Sequence, residues 1–180
     1  MKKKIVVVLG VIIGLFIAYV AYVMLTTRSH SPVKETSMNH EGLEITVRYC
    51  QPYKKDRLIF GTEAEGALVP FNTYWRLGAN DATEISFSRD VKFAGSEVKA
   101  GKYRMYAVPG QQTWEVSLNS ELGQFGYFEP NYELDVLKVK VNSTEVANAL
   151  EQFTINFAND SNGVIMSFEW DKTLVAIPIH

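Results

Sequence analysis

Strict alternation of apolar and polar residues in several short segments constrains the fold of this chain more than any other feature. The segments are rich in Val, Ile, Phe and Trp, and they cover residues 43–49, 83–88, 114–118, 137–141, 153–157 and, less strictly, 164–170. A period of two is typical of half-buried antiparallel strands. Stretches rich in Gly, Pro, Asn and Asp separate them, as turns require. The spacing predicts an all-β fold, an antiparallel β-sandwich of about nine short strands.

One stretch of this region, residues 144–151, has a briefly helical pattern. Asn142 could serve as its N-cap, and Glu145 follows three residues later. We therefore expect one short helical turn between two strands. The sequence contains no internal repeat, and residues 43–180 are predicted to form a single domain.

An uncharged apolar run of 21 residues, from Ile5 to Leu25, precedes the alternating segments. At a rise of about 1.5 Å per residue, a helix of this length extends about 31 Å, which matches a hydrocarbon core of about 30 Å. Tyr19 and Tyr22 stand near its end, where aromatic rings favour the membrane interface. The run predicts one transmembrane helix in an N-terminal anchor, residues 1–28, followed by a tether, residues 29–42.

A cleaved signal peptide is the alternative for this run. Signal peptides carry an apolar stretch of about 7–15 residues that ends in a small-x-small cleavage site. The stretch here is longer, and cleavage after Ala18 or Ala21 would put bulky Phe16 or Tyr19 where a small residue is required. The sequence has no Cys near residue 20, as a lipoprotein anchor would require. The sequence therefore favours an uncleaved anchor.

The charges that flank the run predict its orientation. Lys2, Lys3 and Lys4 precede it and only Arg28 follows closely, so the N-terminus should stay in the cytoplasm. We expect the C-terminal domain to lie in the periplasm, attached to the inner membrane. Without these four residues the chain has 18 − 4 = 14 basic and 20 acidic residues, a net charge of −6. A net-acidic domain is a poor partner for nucleic acid.

Four segments beyond Leu43 resemble DUF2911, a bacterial domain family of unknown function. They are Gln51–Gly61, then Leu68–Phe71 with Trp75–Asn80, then Ala100–Tyr103 with Val108–Gly110 and Trp114, and last Glu169–Thr173. The most specific element is Trp75-Arg-Leu-Gly-Ala-Asn80. The resemblance implies an exported β-rich domain over residues 43–180. It implies no activity, no cofactor and no catalytic residue, and the membrane anchor and Cys50 depart from the family pattern.

A basic and polar set lies in the irregular segments that interrupt the strands, namely Lys55, Arg57, Arg76 and Asn80. Binding residues concentrate on loops that a rigid sheet positions. Two guanidinium groups that converge with an amide could hold a carboxylate or a phosphate through bidentate hydrogen bonds. The alternative is structural, with the arginines paired to Asp56, Asp81 or Glu84 to pin the loops.

The aromatic residues fall into two groups. Those in the apolar phase of the strands are predicted to fill the core, namely Phe87, Trp114, Phe153, Phe157 and Trp170. Tyr127, Phe128 and Tyr132 break the alternation, and they could form an exposed aromatic platform.

No catalytic or metal-ligating set is predicted. His30 lies in the tether, His40 precedes the first alternating segment and His180 is the last residue, so none has the context of a catalytic base. Three His and one Cys leave little material for a zinc site.

The sequence thus favours a non-catalytic binding or assembly module of the cell envelope, whose partner is another envelope protein or a cell-wall component. The alternative is an envelope enzyme that acts on an anionic or glycan substrate through a site of Arg, Asn and carboxylate groups. A pocket that holds Arg57 and Arg76 together with an unpaired carboxylate would favour the enzyme. A broad exposed apolar patch would favour a protein partner.

Overall fold

The computed structural model describes residues 2–180, except for the side chains of residues 2, 3, 5–7, 24, 25, 27 and 28. It begins with helix α1, Lys2–His30. Between Val8 and Val23, every large apolar side chain of this helix except Val20 is exposed. Our expectations for the Lys-rich start and for both ends of the 5–25 span fall partly outside the described side chains.

The helix itself is confirmed, but the finer prediction of a membrane span is not. Within the part of the chain that the structure describes, no helix is both long enough and apolar enough to cross a membrane.

The strands of the described chain follow the helix. They are β1 Val33–His40, β2 Leu43–Cys50, β3 Phe60–Gly61, β4 Val69–Pro70, β5 Thr83–Phe87, β6 Val91–Phe93, β7 Ser96–Val98, β8 Gly101–Val108, β9 Thr113–Asn119, β10 Asp135–Asp160 and β11 Gly163–Ile179. Two short 3-10 helices, Glu63–Glu65 and Tyr132–Leu134, lie in the connections. The mostly-β prediction is confirmed.

Nine strands form one large antiparallel sheet in the order β1-β2-β5-β8-β9-β10-β11-β6-β7, and β3 pairs with β4 in parallel. Strand β10 belongs to both halves of the large sheet. Its first part, Asp135–Asn142, pairs with β9, and its second part, Ser143–Asp160, pairs with β11 with two register shifts between Glu145 and Thr154. These irregularities let one strand pass from one layer to the other, so the sheet folds into a sandwich-like arrangement.

Three details of the predicted fold are wrong. Val33–His40, predicted as tether, forms strand β1 and pairs with β2. The sequence did not indicate this strand, because its half-buried positions are mostly polar and give no apolar alternation. Residues 144–151, predicted as a helical turn, belong to β10, where pairing with β11 overrides the local capping signal. The predicted short strands 137–141 and 153–157 are parts of this single 26-residue strand.

The hydrophobic core lies between the two halves of the sheet. The Phe87 ring on β5 lies 6.2 Å from the Phe93 ring on β6, and the Tyr49 ring on β2 lies 5.7 Å from the Phe153 ring on β10. The predicted core aromatics are buried, apart from Phe157, which packs partly buried against the core. The strand phases derived from the alternation are therefore confirmed.

A long connection between β2 and β5, residues 51–82, crosses one end of the sandwich. Its centre is tied to β8 through Trp75, whose backbone N–H and C=O both bond Ala107 at 2.8 and 2.9 Å. Its start is tied to β10 by hydrogen bonds from Phe153 N–H to Pro52 O and from Lys54 N–H to Glu151 O. The connection is irregular in conformation but is fixed at its start and at its centre.

We predict that Trp170→Ala lowers the free energy of unfolding by about 3–5 kcal/mol, because a buried aromatic leaves a large cavity. Trp170 is 1% exposed, contacts Phe60, Trp75 and Phe153, and donates its indole N–H to Glu151 O. Denaturant unfolding of the full chain measures the loss. Phe128→Ala is the matched control, because Phe128 is 63% exposed. Equal midpoints for the two variants would contradict the packing described here.

Candidate functional site

One cavity of about 410 Å³ lies where the end of helix α1, the 51–82 connection and the start of the domain meet. Its polar walls come from His30, Ser31, Lys55, Arg57, Arg76 and Asn80. Its apolar walls come from Pro52, Leu68, Val69, Trp75 and Trp170. All four residues that the sequence singled out as a basic and polar set therefore line one cavity, although whether they bind a ligand stays a prediction.

Lys55 and Arg57 lie on the exposed side of the cavity. The Lys55 Nζ lies 3.2 Å from Nδ1 of His30, the last residue of helix α1. Arg57 donates from Nε to Lys54 O at 2.9 Å and from Nη2 to Tyr53 O. These bonds to backbone carbonyls hold the Arg57 side chain in place without neutralising its charge.

Arg76 is half-buried, and its surroundings are unusual for a cation. Within the described residues, no carboxylate lies within ion-pair distance of its guanidinium group and no acceptor takes a hydrogen bond from it. The acids that could have paired with it are engaged elsewhere, Asp81 with Arg48 at 3.3 Å and Glu84 with Lys102 at 2.6 Å. The structural alternative, in which Arg76 pairs with an acid to pin its loop, therefore does not agree with the geometry.

Burial is the main cause that lowers the pKa of Arg76 below its ordinary value, and the nearby positive charge of Arg104 acts in the same direction. Neighbouring Tyr74 and Tyr127 hydroxyls and the Cys50 thiol oppose the shift. The guanidinium remains a cation at neutral pH, since an arginine side chain is not deprotonated in proteins. It is thus a partly desolvated positive charge whose five N–H donors lack protein acceptors among the described residues.

Asn80 lines the same cavity next to Arg76. Its side-chain Nδ2 is buried and has no hydrogen-bond partner among the described atoms. A buried donor without an acceptor costs about 1–3 kcal/mol.

The backbone around the cavity adopts conformations that L residues rarely take. Lys55, Leu77 and Asn80 have φ angles of 50°, 52° and 55°. Strain of this kind costs about 1–3 kcal/mol per residue, and it persists only where the surrounding structure enforces it. Gly78 is required here, because a Cβ at that residue would lie 2.6 Å from Cys50 O. The close approach to the end of β2 fixes the turn that carries Arg76 and Asn80.

The connection between β9 and β10, residues 120–134, covers Arg76 from the other side. Gly126 packs so tightly that an added Cβ would lie 2.9 Å from the Arg76 Cδ. Its N–H bonds Asn80 O at 2.8 Å, and the next residue, Tyr127, places its ring 5.8 Å from the Arg76 Cζ. The 120–134 connection therefore holds the Arg76 side chain between a glycine and an aromatic face.

The predicted aromatic platform divides into two parts. Tyr127 and Phe128 are 69% and 63% exposed, and their rings contact each other edge to face at 5.7 Å. Tyr132 packs instead against Tyr106 at 5.9 Å and donates its hydroxyl to Glu129. Tyr127 and Phe128 thus form the part that adjoins Arg76.

Arg104 on β8 is the residue that the sequence analysis missed. It is 1% exposed, donates to the Tyr74 hydroxyl at 2.6 Å and to Phe128 O, and its Nη1 lies 3.5 Å from Glu121 Oε2. The Tyr74 hydroxyl in turn donates to Gly126 O at 3.0 Å. Arg104 thereby fastens the 120–134 connection onto the outer face of β8. Its position in the phase opposite Tyr103 and Met105 was the available sequence signal.

A family model matches residues 31–179 and is described as a protein of unknown function, DUF2911. The chain belongs to the DUF2911 family. No curated protein and no solved structure matches it significantly. The DUF2911 match begins at residue 31 and so includes β1 as well as every residue of the cavity except His30.

The described residues of this DUF2911 domain contain no group of three or more His, Cys, Asp or Glu side chains arranged to hold a metal ion. The described residues that line the cavity also include neither Asp nor Glu. The cavity therefore offers donors and positive charge, which suit an anion rather than a cation.

We predict opposite stability effects for the two central arginines of the DUF2911 domain. Arg104→Gln should lose about 3–5 kcal/mol, because it leaves buried partners unpaired. At about 2–4 °C per kcal/mol, the melting temperature should fall by about 6–20 °C. Arg76→Gln removes a partly desolvated charge that has neither a carboxylate nor a hydrogen-bond partner among the described residues, and it should leave the melting temperature unchanged or raised.

Thermal unfolding of the two full-chain variants beside the wild type measures this difference. A fall for Arg76→Gln as large as that for Arg104→Gln would mean that Arg76 is a structural latch.

Proposed function

We propose that this DUF2911 protein is a non-catalytic binding module of the cell envelope, and that its cavity holds a small anionic group such as a phosphate or a carboxylate. The observation that carries the proposal is Arg76, a half-buried guanidinium without a carboxylate or hydrogen-bond partner among the described residues. A desolvated charge without partners destabilises the free protein. Binding an anion would remove that cost, because two N–H groups of the guanidinium could donate hydrogen bonds to the same anion.

The charge distribution supports the same proposal. Lys55, Arg57 and Arg76 bring three positive charges to one cavity, although the chain beyond the anchor has a net charge of −6. The charged side chains that line the cavity are therefore opposite in sign to the net charge of the domain. Charges of one sign gathered around a cleft focus the field and attract ions of the opposite sign. A volume of about 410 Å³ lies in the usual range of small-ligand sites.

An enzyme that acts on an anionic or glycan substrate is the second candidate, and it requires a general acid or base beside the arginines. His30 is the lining residue of the type that serves as a general acid or base, and its Nδ1 lies 3.2 Å from the Lys55 Nζ. The carboxylate that we expected for an enzyme is missing from the described lining residues. The binding module is therefore the better-supported proposal.

We further propose that residues 5–25 anchor the protein in the inner membrane, with the domain in the periplasm. The support is the 21-residue uncharged run behind three Lys, together with the exposed apolar side chains of the helix between Val8 and Val23. A helix that is apolar on all sides needs an apolar environment to cover it. Another envelope protein or a cell-wall component is a candidate source of the anionic group.

We predict that inorganic phosphate stabilises the full chain in a neutral detergent. Ligand at tenfold excess over its Kd should add about 1.4 kcal/mol to the free energy of unfolding. The melting temperature should rise with the logarithm of the phosphate concentration once that concentration exceeds the Kd, relative to chloride at equal ionic strength. The same titration with acetate measures whether a carboxylate also raises the melting temperature.

Arg76→Gln and Lys55→Gln should abolish the phosphate effect. Lys140→Gln is the matched control, since Lys140 is an exposed cation of β10 that does not line the cavity. An equal rise for Arg76→Gln and the wild type would refute the anion site.

The anchor predicts that a phosphatase reporter fused after His180 is active and remains with the membrane fraction. A reporter that is active only in its cytoplasmic form would contradict the orientation. Release of the domain into the soluble periplasmic fraction would instead support cleavage of the run.

A further inference from the structure

The cavity adjoins the end of helix α1. His30 ends the helix, and both His30 and Ser31 line the cavity together with Lys55, Arg57 and Arg76. The His30 Nδ1 and Lys55 Nζ atoms are 3.2 Å apart, so the helix end and the cationic wall are in direct contact. The depth of the helix in a membrane would therefore set the depth of the cavity.

The length of the helix beyond the apolar run gives that depth. His30 lies five residues after Leu25, the last residue of the run. At about 1.5 Å per residue this distance is about 7.5 Å. The polar layer of one leaflet is about 5–7.5 Å thick, since a bilayer of about 40–45 Å contains a hydrocarbon core of about 30 Å. In an anchored protein the cavity would open among the lipid headgroups, where the phosphates lie.

The surface beside the cavity also suits a membrane interface. Tyr127 and Phe128 are 69% and 63% exposed, contact each other, and adjoin Arg76 through the Tyr127 ring. Aromatic side chains of this kind favour the boundary between headgroups and acyl chains. Cationic side chains and exposed aromatic rings therefore lie on the same end of the domain as the helix.

We infer that the ligand of the cavity is the phosphate group of an anionic membrane lipid, held by Arg76 and Lys55 while Tyr127 and Phe128 rest in the interface. This inference rests on the anion site and on the anchor proposed above. A free phosphate or a soluble phosphate ester offers the same chemistry to the guanidinium group. The position of the cavity at the helix end favours the lipid as the source.

Native mass spectrometry of the full chain, taken from a neutral detergent doped with phosphatidylglycerol, tests this inference. The wild type should retain one phosphatidylglycerol molecule, and Arg76→Gln and Lys55→Gln should lower the retained fraction at least threefold. Phe128→Ala should also lower retention while leaving the stabilisation by inorganic phosphate unchanged, because Phe128 does not line the cavity. Lys140→Gln should retain the lipid as the wild type does.

The outcomes separate this inference from the proposals on which it rests. Equal retention by the wild type and Arg76→Gln would overturn it, because the lipid would then bind elsewhere. If neither the wild type nor any variant retains the lipid, but phosphate still raises the melting temperature of the wild type, the lipid inference is overturned and the cavity is a site for soluble phosphate. Loss of both effects would overturn the anion site together with the inference.

Discussion

The packing of the Trp75 ring against three other aromatic rings is the interaction on which the arrangement of the 51–82 connection and the two halves of the sheet depends. The ring stacks on Trp170 at 6.0 Å with an interplanar angle of 15°, and it meets Trp114 and Phe153 edge to face at 5.7 and 5.0 Å. These partners come from β9, β10 and β11, so one side chain of the 51–82 connection touches both halves of the sheet. Aromatic pairs of this kind contribute about 0.5–1.5 kcal/mol each beyond the area that they bury.

The same contact explains why the cavity exists where it does. Trp75 and Trp170 form part of the cavity wall, and Arg76 follows Trp75 directly in the chain. Because Trp75 and Leu77 are both buried, Arg76 is turned to the other side of the connection. The core therefore holds the guanidinium at the cavity, and Gly78 then brings the chain close enough to β2 for Asn80 to join it.

Two arginines on this end of the domain have different surroundings. Arg104 is fully buried, its Nη2 donates to the Tyr74 hydroxyl and to Phe128 O, and its Nη1 lies 3.5 Å from Glu121 Oε2. Its Nε and Nη1 make no hydrogen bond among the described atoms, but the guanidinium has an acidic partner and ties two connections to β8. Arg76 is more accessible and has an aromatic face and a glycine beside it instead of acids. The Arg76 arrangement does not stabilise the fold through an ion pair, because a partly desolvated cation without a carboxylate or hydrogen-bond partner lowers stability. This contrast is the physical basis of the proposed anion site.

The sequence alone determined the class of fold, the inward phase of the strands, the first helix and the irregular segments that carry charge. These properties follow from the apolar–polar alternation and from local hydropathy, both of which depend only on residues that are close together in the sequence. Strand β1 and the long β10 could not be predicted, because backbone pairing with distant strands outweighed a polar composition in one and a helical capping signal in the other.

Lys55, Arg57, Arg76 and Asn80 could be named as a set from their loops, but the cavity that unites them with His30 and the role of Arg104 depended on tertiary structure. Only the packed core decides which charges meet and which acids are already engaged. The Arg76 charge has no carboxylate partner among the described residues because Asp81 and Glu84 are paired with Arg48 and Lys102 on neighbouring strands. No pattern along the chain encodes such a competition between distant partners, since it is settled by distances in the folded state.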